Sequence, residues 1–201
     1  MAITLDKYVT DTTLAVTRER SAPRASASPE ASVSGSGEGS VRVVSTRFGE
    51  LEVNEEIVIT FPDGLIGFEQ CQRFVVVRHE EDSAFRWLQS LDVPAVAFPI
   101  IEPNQVRPDY APTISDADAR ALELDSDTHA LLFVIVTVPP GQPQEMTVNL
   151  LGPLVINVLT RRGRQVIVQD EEYMTRHRVV DELQRAALLG RDPAVALKSH
   201  R

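Results

Sequence analysis

Residues 146–169 read MTVNLLGPLVINVLTRRGRQVIVQ, and this stretch decides the class of fold. Two apolar runs flank an abrupt Gly-Pro step, and a basic turn around Gly163 follows, which is typical of consecutive β-strands with tight connections. Asn149 and Asn157 lie inside the apolar runs, where a buried amide needs hydrogen-bond partners. We expect both amides to fix turns or strand ends, and Pro153 to interrupt sheet pairing locally. The stretch holds no nucleophile and no set of metal ligands, so it predicts a scaffold for binding.

Short β-rich runs separated by turn signals continue on both sides of this stretch, from residue 41 onward. The run at 57–61 stops at Pro62-Asp63-Gly64, which is a strong turn signal. The predicted strands are residues 41–46, 51–53, 57–61, 73–78, 85–90, 96–101, 131–138, 146–150, 154–160 and 165–169. Their spacing leaves little room for helical crossovers and therefore favours antiparallel pairing over βαβ units. We predict a mainly β fold, a small antiparallel barrel-like or folded meander sheet with one short helix and a C-terminal helical extension.

Two segments carry helix signals. Ser115 and the acidic residues after it resemble a capping box, which predicts a short helix ending near Leu124. A second helix is predicted at about residues 179–189, before Gly190 and Pro193 stop it. Its apolar stripe consists of Val179, Val180, Leu183, Ala186 and Ala187. Such a stripe either docks on the core or belongs to an amphipathic tail that seeks a groove on a partner.

The composition divides the chain into three segments. Residues 21–40 are almost all small or polar, so they cannot bury enough apolar surface to offset their ordering entropy. Residues 1–20 have scattered apolar positions and no assignable fold. We therefore predict a disordered tail at 1–40, a β domain at 41–178 and a helical extension at 179–201.

Length and composition indicate one soluble domain. The chain has 201 residues, of which 43% are apolar, enough for the core of an ordinary domain. Its longest apolar run, residues 130–138, is far shorter than the ~20 residues of a membrane helix. The first residues lack the layout of a secretory signal, and the lone Cys71 cannot form an internal disulfide. We expect a cytoplasmic protein.

The charge is concentrated in the predicted β domain. Residues 41–160 carry 7 Lys/Arg against 18 Asp/Glu, whereas residues 161–201 carry 9 against 6, and the net charge of the whole chain is −9. An acidic body disfavours direct nucleic-acid binding, because phosphate contacts require clustered Lys and Arg. The same field would attract a basic partner, although solubility alone explains it equally well.

No segment carries an enzyme signature. The acidic runs at 79–82 and 125–129 hold metal-capable side chains, but consecutive residues cannot all face one ion, and the second run lacks the remaining ligands of a calcium loop. Residues 64–67 lack the lysine of a phosphate-binding loop, so their glycines are expected to serve positive φ or close packing. Three arginines within residues 161–164 could hold a phosphorylated ligand or form a solvated hairpin tip. We predict no catalytic residue, metal or cofactor.

Several motifs in order along the chain resemble the flagellar assembly factor FliW family. They are FPDGLIGFE at 61–69, FRWLQS at 85–90, TVNLLGPLVIN at 147–157, QVIV at 165–168, and Tyr173, Arg176 and His177. The resemblance covers about residues 41–180, and Gly152 stands where the family often has alanine. The motif residues expected to be mostly structural are Gly64, Gly67, Asn149, Pro153, Asn157, Gln165 and Tyr173.

The resemblance implies a non-enzymatic partner switch. Proteins of this kind bind the RNA-binding translational repressor CsrA and keep it from silencing flagellin mRNA. They also bind flagellin, which releases CsrA when unsecreted flagellin accumulates. A small β-barrel enzyme or a domain that holds a phosphorylated ligand is the alternative.

We assign tentative partner surfaces from charge and apolarity. The acidic residues expected to attract CsrA are Glu80, Glu81, Asp82, Asp125 and Asp127. The apolar residues expected to form a groove for a helical segment of flagellin are Phe61, Leu65, Ile66 and Phe68. A purely structural role for these four residues explains the pattern equally well.

Overall fold

The computed structural model describes residues 3–5, 15–17, 40–78, 83–125 and 130–191. The first seven strands are β1 (Ile3–Thr4), β2 (Ala15–Thr17), β3 (Ser40–Ser45), β4 (Gly49–Asn54), β5 (Ile59–Thr60), β6 (Arg73–Arg78) and β7 (Phe85–Ser90). The other seven are β8 (Ala97–Ile101), β9 (Thr113–Ile114), β10 (Ala130–Thr137), β11 (Thr147–Val148), β12 (Leu154–Asn157), β13 (Gly163–Gln165) and β14 (His177–Arg178). The helices are α1 (Asp116–Ala121) and α2 (Val179–Leu188), with 3₁₀ turns at Glu55–Ile57, Pro103–Gln105 and Pro143–Glu145.

The central sheet has the order β13-β12-β10-β8-β7-β6, and all these neighbours are antiparallel. β5 pairs with β6, β11 pairs antiparallel with the end of β10, and β14 pairs with β11. The two ends approach each other where the Thr60 N–H donates to the Arg161 carbonyl at 2.9 Å. The sheet is therefore curled and barrel-like but not closed by a full strand ladder. The predicted mainly β, antiparallel fold is confirmed.

Strand β6 explains why one apolar run is buried on both faces. Side chains alternate across a strand, and Phe74 and Val76 point into the interior of the curled sheet. Val75 and Val77 point the other way, into a second core. The β3–β4 hairpin covers that outer core with Phe48 and other apolar side chains, so the edge of the domain has two layers.

Asn157 ties the end of α1 to the turn after β12. Its Nδ2 donates to the carbonyls of Leu122 at 2.9 Å and Glu123 at 3.1 Å. Its Oδ1 accepts the N–H groups of Leu159 at 2.9 Å and Thr160 at 3.3 Å. This is the turn-fixing role predicted for the amide.

The structure differs from the predicted strand at 57–61. Glu55–Ile57 forms a 3₁₀ turn, because the Asn54 side chain caps it by accepting the Glu56 N–H at 2.8 Å. Only Ile59–Thr60 remains extended and paired. The short helix α1 agrees with its predicted cap, since Ser115 Oγ accepts the Asp118 N–H at 3.1 Å.

Two pieces of the predicted tail at 1–40 also differ from the prediction. Ile3–Thr4 pairs with β9, and Ala15–Thr17 lies parallel to β6. Leu5 is buried in the interior, and burial of its side chain supports the pairing of β1. Ser40 already belongs to β3, and the other residues before it lie outside the described residues.

Helix α2 is docked on the β domain and does not project from it. Val179, Glu182 and Ala186 form its buried face, while Ala187 is exposed. The rest of the predicted extension beyond residue 191 lies outside the described residues. No helix within the described ranges combines the length and apolarity needed to cross a membrane.

Candidate protein-docking groove

One surface groove, with a volume of about 430 Å³, brings together segments that are distant in sequence. Its apolar lining comes from the loop at 61–69, the start of β8, the end of β10 and the segment after β13. The apolar side chains are Leu65, Ile66, Phe68, Phe98, Ile135, Leu151 and Ile167. The polar contributors are Thr137, Asn149, Gln165, Thr175 and Arg176, and Gly152 adds backbone. Four of the separate motifs quoted above thus meet in one place.

The loop at 61–69 forms because two tight turns follow each other. The Gly64 N–H donates to the Phe61 carbonyl at 2.9 Å, and the Phe68 N–H donates to the Leu65 carbonyl at 2.7 Å. Gly64 has φ +68°, and a Cβ there would lie 2.6 Å from Glu69 Cα, so only glycine fits. The turns bury Leu65 but leave Ile66 62% exposed.

The second turn is stabilised by the carboxylate of Glu69. Its Oε1 accepts the Gly67 N–H at 2.9 Å. Backbone N–H groups of Glu69 itself and of Gly67 favour the ionised form and hold the pKa of this exposed carboxyl below its usual range.

Two side-chain amides join the segments across the groove. Gln165 Oε1 accepts the Ile66 N–H at 3.1 Å, and Gln165 Nε2 donates to the Gly152 carbonyl at 3.3 Å. Asn149 Oδ1 accepts the Gly152 N–H at 2.9 Å. A Cβ at Gly152 would lie 2.9 Å from Asn149 Nδ2 and 3.2 Å from Gln165 Nε2. The glycine therefore allows both amides to close on the turn.

Several apolar side chains are exposed together along the groove. Phe68 and Phe98 stack edge to face, with centroids 4.9 Å apart. Ile66 and Ile167 are exposed beside them, and Met174 is exposed next to Thr175 in the chain. Contiguous exposed apolar surface on a small domain marks a site of interaction with another molecule.

The groove also differs in charge from the rest of the chain. Its lining contains no Asp or Glu, although the chain has a net charge of −9. Arg176 is its single charged side chain, and it makes no ion pair within the described part of the chain. The groove is therefore an apolar surface region with one positive charge on a protein whose net charge is negative.

Thr175 and Arg176 form one wall of the groove, and the buried side chain of His177 supports this wall from the protein interior. The His177 Nε2 accepts the Met174 N–H at 2.8 Å, so this nitrogen carries no proton. The His177 Nδ1 lies 2.7 Å from Oε1 of Glu182 on α2, to which it donates. The Met174 carbonyl accepts the N–H groups of Leu150 at 3.1 Å and Leu151 at 3.2 Å.

Buried Arg107 interacts with several charged side chains beneath α2. Its guanidinium lies 3.6 Å from Glu182 and pairs with Glu172, and it stacks 4.8 Å from the Tyr173 ring centroid. Burial raises the pKa of the Tyr173 phenol. Asp109, 3.8 Å from Arg107, completes the cluster.

Asp109 also clamps α2 from the outside. Its two carboxylate oxygens accept bonds from Arg185 at 2.9 and 2.8 Å. These bonds hold the pKa of Asp109 below its usual range and raise the pKa of Arg185. The helix is thus fixed by charges on both its buried and its exposed side.

The structure separates the four predicted apolar residues. Phe61 is fully buried against Phe74, with ring centroids 5.3 Å apart, and Leu65 is 1% exposed. Ile66 and Phe68 reach the groove. Phe98 and Ile167 were missed by sequence reasoning, although the alternation of Gln165-Val166-Ile167-Val168 indicates that Ile167 faces away from the core.

The predicted acidic residues lie elsewhere. Asp125 is exposed after α1, near the start of β10, where Ala130 pairs with Asn157. The groove residues Ile135 and Thr137 lie at the opposite end of β10. The remaining predicted acids, Glu80, Glu81, Asp82 and Asp127, lie outside the described residues.

The arginines at 161–164 are largely paired inside the molecule. Arg164 binds Asp63 at 2.5 Å and Asp118 at 2.8 Å, and Arg162 lies 3.6 Å from Glu123. They link the loop at 61–69 and α1 to β13. Within the described ranges no three His, Cys, Asp or Glu side chains converge as a metal site.

The described part of the chain is a small, mainly β domain whose curled antiparallel sheet carries an apolar surface groove. The chain belongs to the FliW family, since the model of that family, described as FliW protein, matches residues 42–179. This membership gives the protein a role in flagellar assembly.

Individual relatives agree with the family match. The chain is 40% identical over 158 residues to the flagellar assembly factor FliW of Bdellovibrio bacteriovorus, covering 78% of this chain and 89% of the relative. It is 35% identical over 144 residues to that of Thermotoga maritima, covering 72% and 97%. A crystal structure of the flagellar assembly factor FliW superposes with a TM-score of 0.64 at 32% identity, covering 69% of this chain and 96% of that one.

Proposed function

We propose that this protein is a non-enzymatic regulator of flagellar assembly that binds the translational repressor CsrA, relieving repression of flagellin mRNA, and binds flagellin in a partner switch. Membership of the FliW family supports the setting. The observation that carries the proposal is the convergence of Ile66, Asn149, Gly152 and Gln165 on one groove. Because CsrA acts on mRNA and flagellin is bound before it is secreted, we place the protein in the cytoplasm.

Flagellin occupies the groove in this proposal. The groove offers aliphatic and aromatic surface from Ile66, Phe68, Phe98 and Ile167. Its lining contains no carboxylate that would have to lose its hydration when an apolar partner binds. The apolar face of an amphipathic helix fits such a surface, because its i, i+3 and i+4 side chains can enter a groove together. Burial of that surface supplies the affinity.

The variant Ile66→Glu tests this assignment. Because Ile66 is 62% exposed, the substitution leaves the core intact and places a charge in the docking surface. Leu159→Glu is the matched control, since Leu159 is 72% exposed and lies outside the groove. We expect titration calorimetry with flagellin to show a loss of at least tenfold in affinity for Ile66→Glu only. Equal flagellin affinity of the two variants would remove the groove from the proposal.

In this proposal CsrA is attracted by the acidic residues predicted for it, of which Asp125 is exposed and lies in the described part of the chain. An RNA-binding repressor presents basic groups to phosphates, and an opposite field accelerates encounter. Asp125 lies near the start of β10 and the groove at its end. The two partners would thus meet different ends of the domain.

The association rate tests the electrostatic part. Asp125→Ala/Asp127→Ala is compared with Glu50→Ala/Glu171→Ala, which removes the same charge from two other positions where Glu50 and Glu171 are exposed. We expect the first pair to slow association with CsrA and flatten its salt dependence more than the second, and Glu80, Glu81 and Asp82 to behave like the first. Equal association rates for the two double variants would show that the net charge of the protein matters and the position of these acids does not.

Flagellin binding without any CsrA binding would instead indicate a flagellin chaperone. The phosphorylated-ligand alternative finds no support in the geometry, because Arg162 and Arg164 already face Glu123, Asp63 and Asp118.

A further inference from the structure

We propose that helix α2 is a latch for the groove: docking of α2 holds Met174 and the wall formed by Thr175 and Arg176 in their binding form, so that occupancy of the groove and docking of the helix favour each other. The proposal rests on the assignment of the groove to flagellin. It concerns how that site is regulated from within the chain.

The first link runs from α2 to the chain segment before it. Glu182 is buried and faces His177 with Oε1 and Arg107 with Oε2. The His177 ring therefore sits between a carboxylate on the helix and the backbone of Met174. Its proton must be on Nδ1, because Nε2 accepts the Met174 N–H.

The second link runs from Met174 to the groove. The Met174 carbonyl accepts two N–H groups, from Leu150 and Leu151, and Leu151 lines the groove. Thr175 and Arg176 follow directly and form the wall. These hydrogen bonds connect Glu182 to the wall through His177 and Met174, so we expect a shift of Glu182 to displace the wall.

The third observation is that the contacts of α2 with the β domain allow the helix to undock. Its buried face is narrow, with Val179, Glu182 and Ala186 inward. Leu188 and Leu189 are exposed at its end, and the Arg185–Asp109 clamp is partly solvated. A short helix that buries few apolar side chains is drawn from the less stable part of a fold.

Thermodynamic linkage couples the docking of α2 to the binding of flagellin. If the groove is competent only when α2 is docked, the apparent dissociation constant rises in proportion as the docked fraction falls. The same coupling factor must then appear when flagellin is added and the docking of α2 is measured. Couplings of this kind are typically about 5- to 150-fold.

Adjacent residues of α2 provide a matched test in the full-length chain. Ala186→Asp places a carboxylate in the buried face, since Ala186 is 1% exposed. Ala187→Asp adds the same group to the same helix at an exposed position. Hydrogen exchange of the Leu150, Leu151 and Met174 amides reports the wall without any partner, and titration with flagellin reports the site.

We expect Ala186→Asp to accelerate exchange of those three amides and to weaken flagellin binding at least fivefold, with Ala187→Asp unchanged in both. Flagellin should slow exchange of the α2 amides of the unmodified protein. Trp87 fluorescence verifies the fold, and Arg185→Ala, which removes only the outer clamp, replaces Ala186→Asp if that variant unfolds.

Faster exchange in α2 with full protection of Leu150, Leu151 and Met174 would overturn the latch. Opened wall amides with unchanged flagellin affinity would overturn it too. A wrong assignment of the groove to flagellin would give a different result. Ile66→Glu would then bind flagellin normally, whether or not α2 is docked.

Discussion

The ring of Phe61 lies against the α-carbon of Gly163, so that a methyl group at position 163 would sit 2.5 Å from Cζ of the phenylalanine. The two residues lie where the ends of the curled sheet approach each other, beside the bridge between Thr60 and Arg162. Phe61 is also the first residue of the loop that presents Ile66 to the groove. The close approach therefore links the closure of the sheet to the position of the docking loop.

Gly163→Ala should lower the free energy of unfolding by about 1–3 kcal/mol, because a fully buried ring has no room to withdraw. Urea denaturation followed by the fluorescence of Trp87, the single tryptophan, measures the loss. In the background Phe61→Leu the same glycine substitution should cost clearly less, since the obstructing ring is gone. Additive losses in this double-mutant cycle would contradict the contact.

Gly64 and Gly67 form a matched pair that separates backbone strain from collision. Both have positive φ, at +68° and +84°, which costs a side-chain-bearing residue about 1–2 kcal/mol. Only Gly64 would also place a Cβ 2.6 Å from Glu69 Cα, whereas nothing lies within 4 Å of a Cβ at Gly67. We expect Gly67→Ala to lose about 1–2 kcal/mol of unfolding free energy and Gly64→Ala at least about 3 kcal/mol. Losses of equal size in urea denaturation would show that the collision is relieved.

The strands could be predicted because their signals are local. β6 and β7 coincide with the predicted runs at 73–78 and 85–90, since apolar side chains and bounding turns specify a strand within a few residues. The strand at 57–61 was overestimated because the Asn54 side chain caps a 3₁₀ turn that an apolar pattern does not reveal.

The sequence indicated only the side of the groove at residues 61–69, because the rest of the groove depends on contacts across the whole domain. Ile66 meets Gln165 through a bond that spans 99 positions, and no local pattern places them together. Phe61 and Ile66 are both apolar and close in sequence, yet only the turn geometry makes one core and the other surface. Docking of α2 on the core was one of the two alternatives that its apolar stripe predicted. The stripe did not indicate that Glu182 and Arg107 are buried beneath the helix, because charged residues are expected at the surface until their partners are known.

Asp109 should make stability depend on pH in the acidic range. Its pKa is lowered in the folded protein by Arg185, so its stabilising contribution is present above the unfolded value of about 3.9 and is lost as pH falls through the folded value. Asp109→Asn lacks this contribution and should be less stable by about 1 kcal/mol at neutral pH, a modest figure because Arg185 is partly solvated. The difference between the two proteins should shrink toward zero at about pH 2.

Urea denaturation at a series of pH values measures that difference. Asp181→Asn serves as the control on α2, because Asp181 forms only a solvated pair with Arg178 at 3.5 Å and should change neutral-pH stability by less than about 0.5 kcal/mol. A difference between wild type and Asp109→Asn that stays constant down to the acid limit would exclude the linkage.

Asn149 and Asn157, the two amides of the 146–169 stretch, should differ in their response to the same isosteric change. Asn157→Asp replaces the Nδ2 that donates to Leu122 and Glu123 with an oxygen, in a buried site. The new oxygen faces two carbonyls, so we expect a loss of about 2–4 kcal/mol of unfolding free energy.

Asn149→Asp keeps the acceptor for the Gly152 N–H, and Asn149 Nδ2 donates to no group in the described part of the chain. Its stability should therefore change by less than about 1 kcal/mol, while a carboxylate enters the groove beside apolar side chains and should weaken flagellin binding. Urea denaturation and calorimetry on both variants separate the outcomes. Equal destabilisation by the two substitutions would mean that Asn149 belongs to the framework, as Asn157 does, and not to the docking surface.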